Sequence, residues 1–263
     1  MKRERSYRTD AIILRRTDHK EADRLLTVFT PKLGKLKLLA KGARKITSRK
    51  AGHIELFTLT DMQIARSRTW DIVTQVQTLQ SYRGLREDLD KTSQAYYMAE
   101  LIDRFVAEAD ANLYLFELFA FTLARLAHAS DSFLVLRYFE IHLLRLAGFQ
   151  PQLHFCLACN QPLQPVDNFF HFGDGGTFCP LHGSDKAKAQ PIALPILKVL
   201  RFLQTQPWEN VAGLQLTPRT RYETENLLLG YITHTLERRL KSVAFIHKLR
   251  KMLVHRNQDD DMY

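Results

Sequence analysis

The sequence predicts an α+β protein, in which a small N-terminal β-barrel is followed by an α-helical domain that carries an inserted, cysteine-bearing module. Three observations lead to this prediction. Five short strand-like segments lie between Tyr7 and Gln80, helical periodicity follows Tyr82, and all three cysteines lie together in a stretch without a long period. The expected divisions are the barrel at 1–82, the helical domain at 83–150 and 191–256, the module at 151–190 and a disordered tail at 257–263.

Five short strand-like segments account for the barrel. They lie at residues 11–16, 24–30, 35–41, 55–66 and 71–79. The sequences PKLG at 31–34 and SRT at 67–69 supply two of the turns between them. Short strands at this spacing favour a closed barrel of the OB type, a fold that often binds nucleic acid.

Helical periodicity begins after Tyr82. Helices are predicted over residues 92–109, 111–129, 131–149, 194–206 and 222–255. Asp131 or Ser132 is suited to cap the third of them, and Gly148 is suited to end it. The helix at 111–129 is apolar nearly all round, which predicts that it lies in the interior of a bundle.

The third strand segment, KLKLLAK, separates apolar from basic residues. Because alternate side chains of an extended chain face opposite sides, Leu36, Leu38 and Ala40 are expected to face the core. The opposite face is mostly basic and continues into a basic loop beginning at Gly42. With two arginines of the first strand it forms a candidate DNA-binding surface: Arg15, Arg16, Lys35, Lys37, Lys41, Arg44, Lys45, Arg49 and Lys50.

Charge is distributed unevenly along the chain. Residues 1–82 hold 18 Lys and Arg against 8 Asp and Glu, whereas residues 83–263 hold 20 of each kind, so the whole net charge of +10 lies in the first part. Such a field attracts polyanions, either nucleic acid or an acidic membrane surface, and we interpret it as a nucleic-acid interface. The alternative is an edge strand whose lysines prevent aggregation.

Few aromatic residues are available in this basic segment to stack on bases. Trp70, at a turn, is the candidate for a base contact. Binding is therefore expected to depend mainly on the phosphate backbone, with weak sequence selectivity and strong salt dependence.

The cysteines belong to a metal-binding pattern. Cys156 and Cys159 form a Cys-x-x-Cys pair, and Cys179 and His182 follow after nineteen further residues as Cys-x-x-His. Four ligands of these types at this spacing predict a tetrahedral zinc site. Because four protein ligands leave no position for an activated water, the zinc is expected to be structural.

Alternatives to this interpretation stay open at the level of the sequence. His154 or His171 is an alternative fourth ligand, and a pair of ligand turns that holds no metal is the alternative to a zinc site. We find no Ser/His/Asp or paired-carboxylate constellation, so no catalytic residue is assigned and the chain is not expected to be an enzyme. The functional alternatives are a metal-dependent enzyme acting on nucleic acid and a zinc-containing DNA-binding regulator.

The expected location is the cytoplasm. No run of about 18 apolar residues is present, and the opening MKRERSYRTD lacks the apolar stretch of a signal peptide. The odd, clustered set of cysteines fits a metal site in a reducing compartment better than a disulfide framework.

Four tracts resemble the RecO family of bacterial recombination and DNA-repair mediators. They are LLAKGARK at 38–45, YRGLREDL at 82–89, YFEIHLLRLAGFQPQLHFCLACN at 138–160 and LERRLKSVAFI at 236–246. The resemblance covers nearly the whole chain, and the tract around the first two cysteines is the most specific to the family. His182 departs from it, because a cysteine is common there.

The resemblance implies an OB domain that binds single- and double-stranded DNA, a helical domain and a zinc module. It also implies annealing of complementary strands, association with RecR, contact with the acidic tail of single-stranded DNA-binding protein, help in loading RecA, and a place at the nucleoid. An acidic tail with a hydrophobic end requires an apolar pocket rimmed by cations. The helical arginines that are candidates for this rim are Arg104, Arg125, Arg137 and Arg145.

Overall fold

The computed structural model describes residues 5–237, 240–243 and 246, which fall into two compact units. One unit is Met1–Ala129 with Lys241–Tyr263, and the other is Ser130–Leu240. The predicted tail at 257–263 lies outside the described residues. Within the described part of the chain, no helix is both long and apolar enough to cross a membrane.

The first unit contains a closed five-stranded barrel with the strand order β1-β2-β3-β5-β4. The strands are β1 (Ser6–His19), β2 (Asp23–Thr30), β3 (Gly34–Ala40), β4 (Leu59–Ala65) and β5 (Asp71–Gln80). Neighbouring strands are antiparallel except for β3 and β5, which pair in parallel and close the barrel. The predicted OB-type barrel is confirmed.

The starts of β1 and β4 differ most from the prediction. β1 begins at Ser6, five positions before the predicted start. β4 begins at Leu59, because Phe57 has a φ of 63° and its left-handed backbone interrupts the extended chain. The Phe57 N–H instead donates to the carbonyl oxygen of Ile13. Residues 55–58, predicted as strand, are not part of one, and a short 3-10 helix over Ala51–His53 precedes them.

The inward face of β3 is the apolar one, as its alternation predicts. Leu38 and Ala40 are buried and Leu36 is partly buried, whereas Lys37 is exposed. A slip of one residue would move these apolar side chains into water, and each large one gains about 1.5 to 3 kcal/mol from full burial. The register that places the basic residues outside is therefore fixed by the core.

Gly34 begins β3 in a conformation that only glycine adopts easily. Its φ is 64°, and a Cβ atom there would lie 2.3 Å from the carbonyl oxygen of Asp110. We expect Gly34→Ala to lower the free energy of unfolding by about 3 kcal/mol or more, since strain and a backbone clash add together. Gly42→Ala, with a φ of 67° but no heavy atom nearer than 3.8 Å, should lose only about 1 kcal/mol. Equal losses in urea denaturation would contradict this account.

The first unit also contains the helices α1 (Gly84–Glu87), α2 (Leu89–Phe105) and α3 (Leu113–His128). The Asp88 side chain caps α2 by accepting hydrogen bonds from two backbone N–H groups of its first turn. The prediction that α3 lies in the interior of a bundle is wrong for part of its surface. Phe119 and Leu123 are buried, but Leu113 is 46% exposed and Tyr114 is 70% exposed.

The second unit combines helices with a small sheet of strand order β7-β6-β8. The Asp131 carboxylate accepts the Phe133 N–H at the start of α4, and Gly148, at a φ of 84°, follows the end of this helix. Within the predicted helix at 222–255, α8 ends at Thr235 and a turn follows at 236–237, whereas residues 241–243 and 246 are again helical. The rest of that predicted helix lies outside the described residues. The elements are α4 (Phe133–Leu146), β6 (Asn168–His171), β7 (Gly176–Phe178), α5 (Pro180–Gly183), β8 (Gln190–Ile192), α6 (Leu194–Thr205), α7 (Trp208–Val211) and α8 (Pro218–Thr235).

Candidate nucleic-acid interface and metal centre

A basic groove of about 520 Å³ lies between the loop that follows β3 and the strand β5. It contains four of the predicted DNA-binding residues. The described residues that line this basic groove are Lys41, Gly42, Lys45, Thr47, Ser48, Arg49, Lys50, His53, Thr74, Gln75 and Val76.

The basic groove is strongly cationic. Lys41, Lys45 and Arg49 are exposed and have no carboxylate partner among the described residues. The described lining contains no Asp or Glu. Positive charge that no carboxylate neutralises is therefore concentrated here, which is the electrostatic requirement for binding a phosphate backbone.

Lys50 holds the basic loop against the barrel. Its Nζ donates to the carbonyl oxygens of Lys41, at 3.2 Å, and Val73, at 3.0 Å. At the start of the loop, the Gly42 N–H donates to Asp23 Oδ1 at 2.8 Å. These bonds order the loop before any ligand arrives, which lowers the entropy lost on binding.

Two predicted lysines of β3 are paired with carboxylates. Lys35 Nζ donates to the carbonyl oxygen of Asp103 at 2.6 Å and to its Oδ1 at 2.9 Å, and only 12% of the Lys35 side chain is exposed. Lys37 pairs with Glu108, and this hydrogen bond lowers the pKa of Glu108. The outer face of β3 is therefore less positive than its sequence indicates.

The three remaining basic residues are also outside the basic groove. Arg16 pairs with Glu55. Arg44 Nε lies 3.3 Å from a carboxylate oxygen of Asp18, near the end of β1. Arg15 is exposed and lines a different cavity, described below.

Sequence reasoning missed the uncharged polar wall of the basic groove, to which Thr47, Ser48, His53, Thr74 and Gln75 contribute. Thr74 and Gln75 are neighbours in β5, and regular strand alternation would place them on opposite sides, so the sequence does not predict that both line the groove. Trp70, the candidate for a base contact, is not in the described lining, and its ring packs edge-on against His19 at 5.2 Å between centroids.

The second unit brings together three cysteines and one histidine. One ligand atom from each of Cys156, Cys159, Cys179 and His182 lies within 4.8 Å of all the others. His182 Nδ1 lies 3.2 Å from Cys179 Sγ and 4.0 Å from Cys156 Sγ. Among the described residues, neither of the alternative histidines belongs to this cluster, and His171 Nδ1 instead accepts the Asp174 N–H.

Local backbone geometry explains how the two ligand pairs form. After the first pair, Asn160 adopts a φ of 54° and its N–H donates to the carbonyl oxygen of Cys156, which closes a tight turn. After Cys179, a proline begins the short helix α5, and the N–H of His182 donates back to Cys179. This helical turn brings the histidine next to the cysteine that precedes it by three positions.

The thiols of this cluster influence each other. Burial raises the pKa of Cys156, but hydrogen bonds from the N–H groups of Cys159, Cys179 and Ala158 outweigh it and bring the pKa to about 6. Burial raises the pKa of Cys179, and the Cys156 thiolate raises it further, although the His182 N–H opposes them. The Cys156 thiol therefore ionises before that of Cys179, and its negative charge opposes ionisation of Cys179. A bound cation would relieve the repulsion between the two thiolates.

The spacing of the ligand atoms fits a tetrahedral metal ion. Usual zinc–sulfur and zinc–nitrogen distances require sulfur and nitrogen ligands to be about 3.6 Å apart. The two measured distances to His182, 3.2 and 4.0 Å, lie on either side of that value. Three sulfurs and one imidazole are suited to a soft or borderline divalent metal. These residues can therefore bind a metal ion.

A second cavity, of about 490 Å³, lies between β1 and α2 and is mainly apolar. Its two carboxylates are already bonded, since Asp103 pairs with Lys35 and Glu100 accepts the N–H of Ser242 at 2.8 Å. Arg104 pairs with Glu100 at 3.8 Å, whereas Arg15 and Lys241 are exposed. The described residues that line this apolar cavity are Leu14, Arg15, Tyr96, Ala99, Glu100, Asp103, Arg104, Lys241 and Ser242.

The helical arginines occupy different environments. Arg104 lines the apolar cavity, and Arg125 and Arg145 are exposed. Arg137 is 3% exposed and pairs with the buried carboxylate of Glu140. Arg137 is therefore wrong as a candidate for the rim of a surface pocket, because it lies in the core of its unit.

These features define an OB-barrel protein that carries helices and a metal-ligand cluster. The family described as "Recombination protein O N terminal" matches residues 1–82, and "Recombination protein O C terminal" matches residues 86–244. The chain is 46% identical over 251 residues to a protein of Roseiflexus sp. (strain RS-1) called DNA repair protein RecO, covering 95% of this chain and 88% of that protein. A protein of the same name from Dehalococcoides mccartyi is 35% identical over 254 residues, covering 95% of this chain and 99% of that protein.

The chain belongs to the RecO family of DNA-repair proteins. Membership supports a role in DNA repair and recombination. The resemblance seen in the four sequence tracts is confirmed.

Proposed function

We propose that the chain is a non-enzymatic mediator of DNA repair and recombination that binds single- and double-stranded DNA and anneals complementary strands. It associates with RecR, contacts the C-terminal tail of single-stranded DNA-binding protein and helps to load RecA onto strands covered by that protein. It acts in the cytoplasm, at the nucleoid. The observation that carries this proposal is the basic groove, which has no carboxylate in its described lining.

The basic groove suits a protein that must hold strands and then release them. Lys41, Lys45, Arg49 and Lys50 supply charges for the phosphate backbone. The described lining has no aromatic ring apart from the His53 imidazole, so bases are not held by extended stacking. A strand bound in this way keeps its bases available for pairing.

We include all nine predicted basic residues in the proposed DNA surface, with two different contributions. The four in the basic groove contact phosphates directly. Arg16, Lys35, Lys37 and Arg44 are paired with carboxylates, so their fields are partly neutralised and act over the Debye length of about 10 Å. Arg15 extends the positive surface along β1. In this proposal residues 1–82 are the DNA-binding domain.

The metal in this proposal is a structural Zn²⁺ ion held by Cys156, Cys159, Cys179 and His182. Zinc supplies four strong bonds that fix the two ligand pairs relative to each other, and four protein ligands leave no open position for chemistry. The module at 151–190 is small, so such bonds contribute a large part of its folding free energy.

The apolar cavity is our candidate for the tail of single-stranded DNA-binding protein. Tyr96 and Ala99 offer apolar surface, while Arg15, Arg104 and Lys241 provide cations near it. An acidic peptide with a hydrophobic end requires this combination. The cavity lies entirely within the first unit.

A strand-annealing assay tests the proposal. Complementary labelled strands are mixed alone, covered by single-stranded DNA-binding protein, or covered by a variant of that protein without its tail. We expect the chain to accelerate annealing of bare strands and of strands covered by the intact protein, but to act much more slowly on those covered by the tailless variant. The acceleration should decrease steeply with salt.

The same strands and proteins also show the results that would contradict the proposal. Absence of any acceleration at low salt would contradict the proposal. Cleaved or otherwise changed strands in the presence of divalent metal would indicate an enzyme. Strong preference for one duplex sequence over random competitor would indicate a transcriptional regulator.

A further inference from the structure

We propose that Gln75 makes hydrogen bonds to the base edges of a DNA strand whose phosphates lie in the basic groove. This inference rests on the proposed DNA binding and names a contact beyond the backbone. Gln75 is exposed on β5, and it lines the same groove as Lys41, Lys45 and Arg49.

Gln75 lies beside a β-bulge in β5. In the pairing of β4 with β5, Gln63 is opposite Gln75 and Ile64 is opposite Val73, so Thr74 is an extra residue in β5. Without the bulge, successive residues would face opposite sides of the strand. With Thr74 as the extra residue, both Thr74 and Gln75 are exposed, and both line the groove.

Two neighbouring polar groups of this wall, those of Thr74 and His53, are already bonded within the protein. The Thr74 hydroxyl donates to the Gln63 carbonyl oxygen at 2.9 Å. His53 Nδ1 accepts the Thr78 N–H at 3.3 Å and lies 2.9 Å from the Thr78 hydroxyl. The Gln75 amide has no hydrogen-bond partner in the part of the chain that the structure describes. Its donor and acceptor are therefore available to a ligand.

A carboxamide is chemically suited to base edges. It offers an N–H₂ donor beside a carbonyl acceptor, and every base edge presents a donor, an acceptor or both. The ligand class is therefore single-stranded DNA with unpaired bases, held with little sequence preference. Such hydrogen bonds are replaced when a complementary strand pairs with the same edges, whereas phosphate contacts are not affected. Gln75 would thus hold unpaired bases without preventing annealing.

The test compares two oligonucleotides of equal length, one with all its bases and one with abasic sites throughout, in equilibrium binding across a range of salt concentrations. We expect the unaltered chain to bind the oligonucleotide with bases about tenfold more tightly than the abasic one. Gln75→Leu should bring this ratio close to one and leave the slope of affinity against salt unchanged, because no phosphate contact is lost.

Gln77→Leu is the matched control, since Gln77 is exposed on the same strand but is not among the described residues of the groove. It should leave both the ratio and the salt slope unchanged, and thermal melting should show that both variants remain folded. A ratio that Gln75→Leu does not change, or that Gln77→Leu lowers equally, would overturn the inference. Failure of the unaltered chain to bind either oligonucleotide would instead refute the proposed DNA binding, and this inference with it.

Discussion

Cys156→Ser is expected to release the bound metal and to unfold the module at 151–190. Cys156 is buried, and hydrogen bonds from backbone N–H groups lower its pKa to about 6, so its thiolate is available to a metal at neutral pH. Serine lacks the soft sulfur ligand, and zinc coordination contributes about 10 kcal/mol or more to the folding of small modules. Elemental analysis and the thermal unfolding curve measure the two effects.

His154→Gln is the matched control for this experiment, and it also tests the alternative ligand set. His154 lies outside the cluster, so this variant should retain its metal, whereas His182→Gln should lose most of it. A metal-free protein after gentle purification, or equal metal content in His154→Gln and His182→Gln, would contradict the assignment. The basic groove belongs to the other compact unit, so we expect its salt-dependent DNA binding to survive in Cys156→Ser.

Much of the fold follows from patterns that are local in the sequence. The alternation in KLKLLAK predicts the buried face of β3, because strand geometry has a period of two residues. The two-pair spacing of Cys156, Cys159, Cys179 and His182 predicts their approach, because each pair needs only one tight turn. The left-handed conformation of Phe57 has no such signal, since a buried aromatic residue is normally a strand former, and the start of β4 was therefore misplaced.

The candidate DNA site was predictable only in part, because its electrostatics depend on distant residues. Lys35 and Asp103 are 68 positions apart, and only the packing of α2 on the barrel brings them together. The basic groove likewise depends on the parallel pairing of β3 with β5 and on the bulge at Thr74. Sequence composition predicts that the net charge of this surface is positive. Tertiary contacts determine which of its basic side chains are free of carboxylates and available to phosphates.

The basic groove leads to the other large expected effect. The triple substitution of Lys41, Lys45 and Arg49 by glutamine should lower the slope of log affinity against log salt by about 2, since each lost phosphate contact on single strands removes about 0.7. If the variant and the unaltered chain bind equally at about 1 M salt, this difference in slope gives roughly 500-fold weaker binding by the variant at about 50 mM salt. All three side chains are exposed, so the fold should persist. Fluorescence anisotropy titrations of a single-stranded oligonucleotide over several salt concentrations provide both quantities.

A second triple variant separates the basic groove from total charge. Lys32, Lys188 and Lys198 are exposed lysines outside the described lining, and their replacement by glutamine removes the same three charges. If DNA responds only to net charge, both variants should lose affinity equally; if the groove binds phosphates, the control should keep nearly the whole slope. Equal losses would refute the groove as the binding site, because long-range attraction depends on total charge whereas counterion release requires contact between a cation and a phosphate.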